Sequence, residues 1–129
     1  MNIKIAELCD YALIDQDHKL SIMGIFNDLR PNKYPAKFSR IYLVFVIEQQ
    51  PTDTGKHKVK IMLNTPNKEE EAKTIGGGEF DIEESNEGKN ASFIIGIGDI
   101  LFSREGKYEF AILIDDEKLC DVPLRLATA

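Results

Sequence analysis

Few residues of this chain belong to the types that do covalent chemistry, and their neighbours decide what they can do. Its only imidazoles are His18 and His57, and its two thiols, Cys9 and Cys120, lie near opposite ends of the sequence. Nucleophilic catalysis needs a Ser, Cys or Lys beside a base that a third group orients. His18 precedes Lys19 and His57 lies between Lys56 and Lys58, contexts that read as exposed turn and strand edge. There is no G-x-S-x-G elbow and no zinc-protease helix. Cys9-Asp10 and Cys120-Asp121 place a carboxylate next to each thiol, but strand alternation turns both thiols inward. Burial raises a thiol pKa and leaves it inert, so both read as buried free cysteines. Neither a CxxC nor a Cys/His pattern with metal spacing occurs. No catalytic and no cofactor-binding residue is assigned.

Two glycine clusters, Gly76-Gly77-Gly78 and Gly96-Ile97-Gly98, have the composition of phosphate loops. Neither opens a helix or precedes Lys-Ser/Thr, so they read as bulges or close backbone approaches within strands. The acidic turns carry the one metal question. If consecutive strands reverse direction, one end of the molecule collects Asp15, Asp17, Asp53, Glu83, Glu84, Glu87, Asp115, Asp116 and Glu117. Calcium takes six to eight oxygens, and no loop offers a dense Asp-x-Asp-x-Asp run. A site would need Asp15, Asp17, Asp115 and Asp116 to converge; the expectation is solvated turns and no metal.

Those residues must be positioned by strands. Tyr108, Phe110, Ile112 and Ile114 alternate with Glu109, Ala111 and Leu113, and Cys120, Val122, Leu124 and Leu126 repeat the pattern beyond Asp115-Asp116-Glu117. Period-two alternation marks half-buried strands, and this pair predicts a C-terminal hairpin. Val59, Ile61 and Leu63 form another face, as do Leu20, Ile22, Gly24 and Phe26. In the first strand Ile3, Ile5, Cys9, Tyr11 and Leu13 share a parity in which Glu7 is a misfit. Ile41 to Ile47 and Phe93 to Phe102 are apolar on both faces, as central strands are. Turn signals separate about eight strands, including one near Thr74 to Ile82. The fold expected is all-β, a two-sheet antiparallel sandwich, immunoglobulin-like or C2-like, in a single domain over residues 1–129.

Ala6-Glu7-Leu8-Cys9-Asp10-Tyr11-Ala12, Leu20 to Phe26 with Gly24, Pro35, and Gly106-Lys107-Tyr108-Glu109-Phe110 resemble an uncharacterised bacterial family of short β-sandwich proteins. That resemblance implies a bacterial source and no activity. Gly106-x-Tyr108-x-Phe110 is also similar to the tyrosine corner of immunoglobulin-like domains, with Phe110 in the cysteine's place and no Trp anywhere in the chain.

Charge narrows the partner. Sixteen Lys and Arg against 22 Asp and Glu give a net charge of −6 with no basic run, which argues against nucleic acid and anionic lipid. No stretch approaches the roughly 20 apolar residues of a membrane span, and the N-terminus has no signal-like apolar run, so the expected location is cytoplasmic. In Ile41 to Ile47, Ile41, Leu43, Phe45 and Ile47 are assigned to the core. The other parity, Tyr42, Val44 and Val46, is expected to face solvent and to be the interface of a non-catalytic protein-binding or assembly module, its partner another protein or a second copy. Cover by the Asn27 to Ser39 loop is the competing expectation. Calcium or carbohydrate binding and an enzyme of another type are the alternatives.

Overall fold

The computed structural model describes residues 1–83 and 90–129. Among these residues nine strands form, β1 (Asn2–Ile14), β2 (Leu20–Phe26), β3 (Asp28–Leu29), β4 (Ala36–Glu48), β5 (Gly55–Asn64), β6 (Lys73–Ile82), β7 (Asn90–Phe102), β8 (Gly106–Ile114) and β9 (Glu117–Leu126), with a 3-10 turn at Pro51–Asp53. They make two packed sheets, one of order β2-β1-β4-β7 and one of order β3-β9-β8-β5-β6. This is the expected sandwich with one strand more than the turns suggested. It is not wholly antiparallel, because the two-residue β3 runs parallel to β9.

The core lies between the sheets, and the alternating residues supply it. Ile41, Leu43, Phe45 and Ile47 face Val59, Ile61 and Leu63 and Tyr108, Phe110, Ile112 and Ile114, all in one buried cluster with Val122, Leu124 and Leu126. The C-terminal hairpin turns on Asp115 and Asp116, both with positive φ, the backbone that a two-residue hairpin turn requires. Tyr108 Oη donates to the Arg104 carbonyl at 2.8 Å, so the tyrosine corner inferred from sequence is present. Pro123 is tolerated inside β9 because β3 pairs only with Arg125 and Leu126, leaving no strand on that side of β9 to want its N–H.

Two irregularities shape the four-stranded sheet. A bulge between Ile3 and Ile5 reverses the parity of β1, so that Ala6 and Leu8 lie opposite Phe45 and Leu43, while Ile5, Glu7 and Cys9 lie opposite Val46, Val44 and Tyr42. Farther along, Asp99 has φ 52° within β7, and the buried positions change from Ile97 to Ile100 and Phe102. Both parities of β7 therefore serve the core at different points along the strand. That is why its sequence is apolar on both faces although β7 is an edge strand and not the central one expected.

At the same level β1 leaves β4. Their pairing ends at Cys9 and Tyr42, whereas β1 continues with β2 to Ile14 and Leu20. The ladder lacks the Asp10–Gly24 pair, and Gly24 has φ 69° with an Asp10 oxygen 2.4 Å from where a Cβ would stand. Only glycine fits there. The far part of β1 and β2 is thus a two-stranded ribbon beyond the body of the sheet. Gly77 in β6 shows the close approach expected of the glycine run, since a Cβ would lie 2.6 Å from the Val59 carbonyl oxygen. Among the described residues no helix is long and apolar enough to cross a membrane.

Candidate functional site

Among the described residues, the polar side chains singled out in the sequence lie in separate places. His57, expected on the open surface, has a side chain only 14% exposed and is stacked on Phe80. Its Nδ1 lies 2.5 Å from Asp115 Oδ2, and its Nε2 meets the Asp53 carbonyl. Burial alone would lower the imidazole pKa, but the Asp115 carboxylate and the Asp53 carbonyl outweigh it and raise the pKa above the ordinary value. With an acceptor at each nitrogen the protonated ring can donate to both, so His57 acts as a clamp joining the β8–β9 turn to the 3-10 turn. Asp115 in turn accepts the Lys58 N–H, which with His57 holds its carboxyl below the usual range.

The four aspartates considered for calcium do not converge. The expected strand count omitted β3, and one added strand moves every later turn to the other end of the sandwich. Asn2 at the start of β1 pairs with Glu48, which leads into the 3-10 turn containing Asp53, and His57 ties that turn to Asp115. Asp15 and Asp17 follow the opposite end of β1. Asp15 Oδ1 already accepts the backbone N–H groups of Asp17 and Lys19 as a turn cap. No group of three or more metal-ligating side chains occurs among the described residues. Glu84 and Glu87 lie outside them.

Cys9 is fully buried, but on the outer side of its sheet, because the bulge after Ile3 reversed the parity that placed it inward. Cys120 is half-buried against the main core, and both cysteines are free. Burial first, then the neighbouring carboxylates Asp10 and Asp121, push both thiol pKa values upward.

The interface expected at Tyr42, Val44 and Val46 needs the largest correction. Val44 is 0% and Val46 6% exposed, and Tyr42 is half-buried. Val44 forms a second small cluster with Cys9 and Ala12, against which Leu20, Ile22, Tyr42 and Ile94 pack. The cover thus comes from β1, β2 and β7. The segment after Asn27 runs elsewhere, along the end of β9, where the Arg125 and Ala127 N–H groups donate to the Asn27 and Leu29 carbonyls. Tyr34 Oη also donates to the Ala127 carbonyl, so this loop cannot cover β4.

What remains uncovered is the ribbon. Of the seven large exposed hydrophobic residues among those described, six lie on β1 and β2: Ile5, Tyr11, Leu13, Ile14, Met23 and Ile25. Ile25 is 57%, Tyr11 49% and Met23 48% exposed. Tyr11 meets the edge of Tyr42 at 5.9 Å, which joins the ribbon to the half-buried rim of the outer cluster. The alternation of Ile5, Cys9, Tyr11 and Leu13 placed these side chains in the core, and the misfit Glu7 was the signal to the contrary. Glu7 shares the outward parity with Ile5 and Cys9.

The model of one protein family matches residues 4–127, nearly the whole chain. The chain belongs to DUF6941, a family of unknown function. A comparison with curated proteins gave no match. Among solved structures, this DUF6941 chain is similar to the Pseudomonas fluorescens alkylpurine DNA glycosylase AlkC bound to DNA containing an abasic site analog, with a TM-score of 0.53 and 15% identity. The similarity covers 79% of the DUF6941 chain and 28% of the glycosylase. At that identity it concerns the fold alone.

Proposed function

We propose that this chain is a non-catalytic protein-binding module of a bacterial cell, and that it docks through the β1–β2 ribbon. The observation that carries the reading is the gathering of exposed apolar side chains on one ribbon, five of seven among the described residues, with Ile5 a sixth on the part of β1 that pairs with β4. Contiguous exposed apolar surface on a soluble chain marks interaction sites, whereas isolated exposed hydrophobics need no explanation. The chemistry elsewhere supports the same reading. The His57 imidazole meets an acceptor at each nitrogen, and the thiols of buried Cys9 and half-buried Cys120 have raised pKa values. A cleft of about 440 Å³ beside β6 and β7 has Glu70, Lys73 and Ser103 on its wall, but its Tyr108 hydroxyl is engaged by the Arg104 carbonyl. The free thiols favour a reducing compartment such as the cytoplasm.

Capture of partners from an extract of the source cell, with wild-type and Ile25→Lys chains as bait, tests the proposal. Ile25 is more than half exposed, so the change should leave the melting temperature nearly unaltered. A partner retained by wild type and lost by the variant is the expected result. Equal retention by both chains refutes docking at the ribbon.

A further inference from the structure

The two sheets meet along their β6 and β7 edges and then separate. A Cβ added at Gly76 in β6 would stand 3.3 Å from the Ile95 side chain of β7, so the edges touch there. Beyond that point each edge strand has an irregularity, and both irregularities line one cleft. In β6 the pairing with β5 steps from Ile61–Gly76 to Met62–Thr74, which leaves Ile75 as an extra residue. In β7 the buried positions step from Ile97 to Ile100, and Gly98 and Asp99 between them bring no apolar side chain to fill the gap. The result is the cleft of about 440 Å³, floored by Leu63, Ile75, Ile97 and Ile100. Clefts that hold small molecules run from roughly 300 to 1,000 Å³ and combine an apolar floor with a few polar groups.

The charged groups at the mouth are not equivalent. Glu70 is held by its own loop: its Oε2 accepts the Thr65 hydroxyl at 3.0 Å, and its Oε1 lies 3.5 Å from Asn67 Nδ2. Asp99 Oδ1 lies 3.7 Å from Lys37 Nζ. Lys73 is exposed, and of the charged groups lining the cleft it alone has no ion-pair or hydrogen-bond partner among the described residues. We propose that this cleft binds a small organic acid, its apolar body against Leu63, Ile75, Ile97 and Ile100 and its carboxylate on the Lys73 ammonium. A carboxylate there gives the unengaged cation a partner, while the body covers floor that the two irregularities leave open. β6 and β7 end their sheets on the side away from β2 and β3, so the cleft and the ribbon are separate sites that can be filled independently.

Decanoate, kept below its micelle concentration, is the probe, and decylammonium is the same chain with the opposite charge. Isoleucine methyl NMR spectra of the full chain report where each binds, because Ile75, Ile97 and Ile100 line the cleft whereas the exposed surface of β1 and β2 carries Ile5, Ile14 and Ile25. Decanoate should shift the cleft methyls saturably and bind about tenfold more tightly than decylammonium. Lys73→Glu should reverse that order, with the melting temperature of the ligand-free chain unchanged because Lys73 is exposed. If that variant proves unstable, Lys73→Gln should remove the preference and leave the two probes bound alike. No saturable shift, shifts confined to Ile5, Ile14 and Ile25, or a preference that the Lys73 variants leave as it was overturns the inference. Tighter binding of decylammonium to the wild-type chain also overturns it and assigns the mouth to Glu70 and Asp99. Sedimentation of the chain with phosphatidylglycerol vesicles, lost in Lys73→Glu, would replace the free acid by a lipid surface.

Discussion

Val44→Glu separates a covered sheet face from an exposed one. Val44 is fully buried, among Cys9, Ala12, Leu20, Ile22, Tyr42 and Ile94, none of which carries an ionised group. Removing the valine side chain from that environment forfeits about 1.5–3 kcal/mol of burial. The incoming carboxylate must either stay protonated against its ordinary pKa or carry charge in an apolar site. It also stands directly opposite Glu7 in the β1–β4 register, a like-charge pair worth about 0.2–1 kcal/mol against the fold. Together these cost on the order of 3–5 kcal/mol, a large part of the stability of a domain this size. The midpoint should fall by roughly 10–20 °C. Urea and thermal unfolding followed by circular dichroism measure it, with Val44→Ala as the uncharged control losing less. The loss should shrink at acid pH, where the introduced carboxyl carries no charge. An unchanged midpoint, accompanied by loss of a protein complex, would refute the burial argument and restore Tyr42, Val44 and Val46 as an interface.

Other expectations follow from single contacts. Because the folded pKa of His57 is raised, its contribution is fully present below the unfolded value near 6.5 and is lost as pH rises through the folded pKa. His57→Asn should flatten the decline of stability with pH over that window, and a variant with the same slope as wild type would contradict the clamp. Tyr108→Phe removes the hydroxyl that donates to Arg104 and should cost about 1 kcal/mol by urea unfolding; no loss would remove the tyrosine corner's role. Cys120, half-buried, should react with a mild thiol reagent before Cys9, which should label only on unfolding. Fast labelling of Cys9 in the native chain would contradict its place in the outer cluster.

Much of the fold was legible because the chain obeys alternation where strands are regular. The hairpin of β8 and β9, the core parity of β4 and the tyrosine corner all follow from residue order alone. What misled the reading was local backbone geometry that no residue type announces strongly. The bulge after Ile3 turned Cys9 outward, and only Glu7 hinted at it. Asp99 shifted the inward parity of β7, so an edge strand looked central. The two-residue β3 carries too little pattern to be seen, yet its presence sends Asp15 and Asp17 to the end opposite Asp115 and Asp116. His57 looked solvated because its neighbours in sequence are lysines, whereas its partners, Asp53 and Asp115, come from a turn and a distant hairpin. The apolar side chains of the ribbon were visible as types, but their exposure depends on where β1 leaves β4.

Radical footprinting of Tyr11, Met23 and Ile25 tests most directly whether the ribbon is a docking surface. The measurement compares dilute purified protein with the same chain labelled in an extract of its source cell. Oxidation of all three side chains in the dilute protein and protection of them in the extract, with Leu101 equally reactive in both, is the result expected. Equal oxidation of the three in both samples would mean that nothing docks on the ribbon.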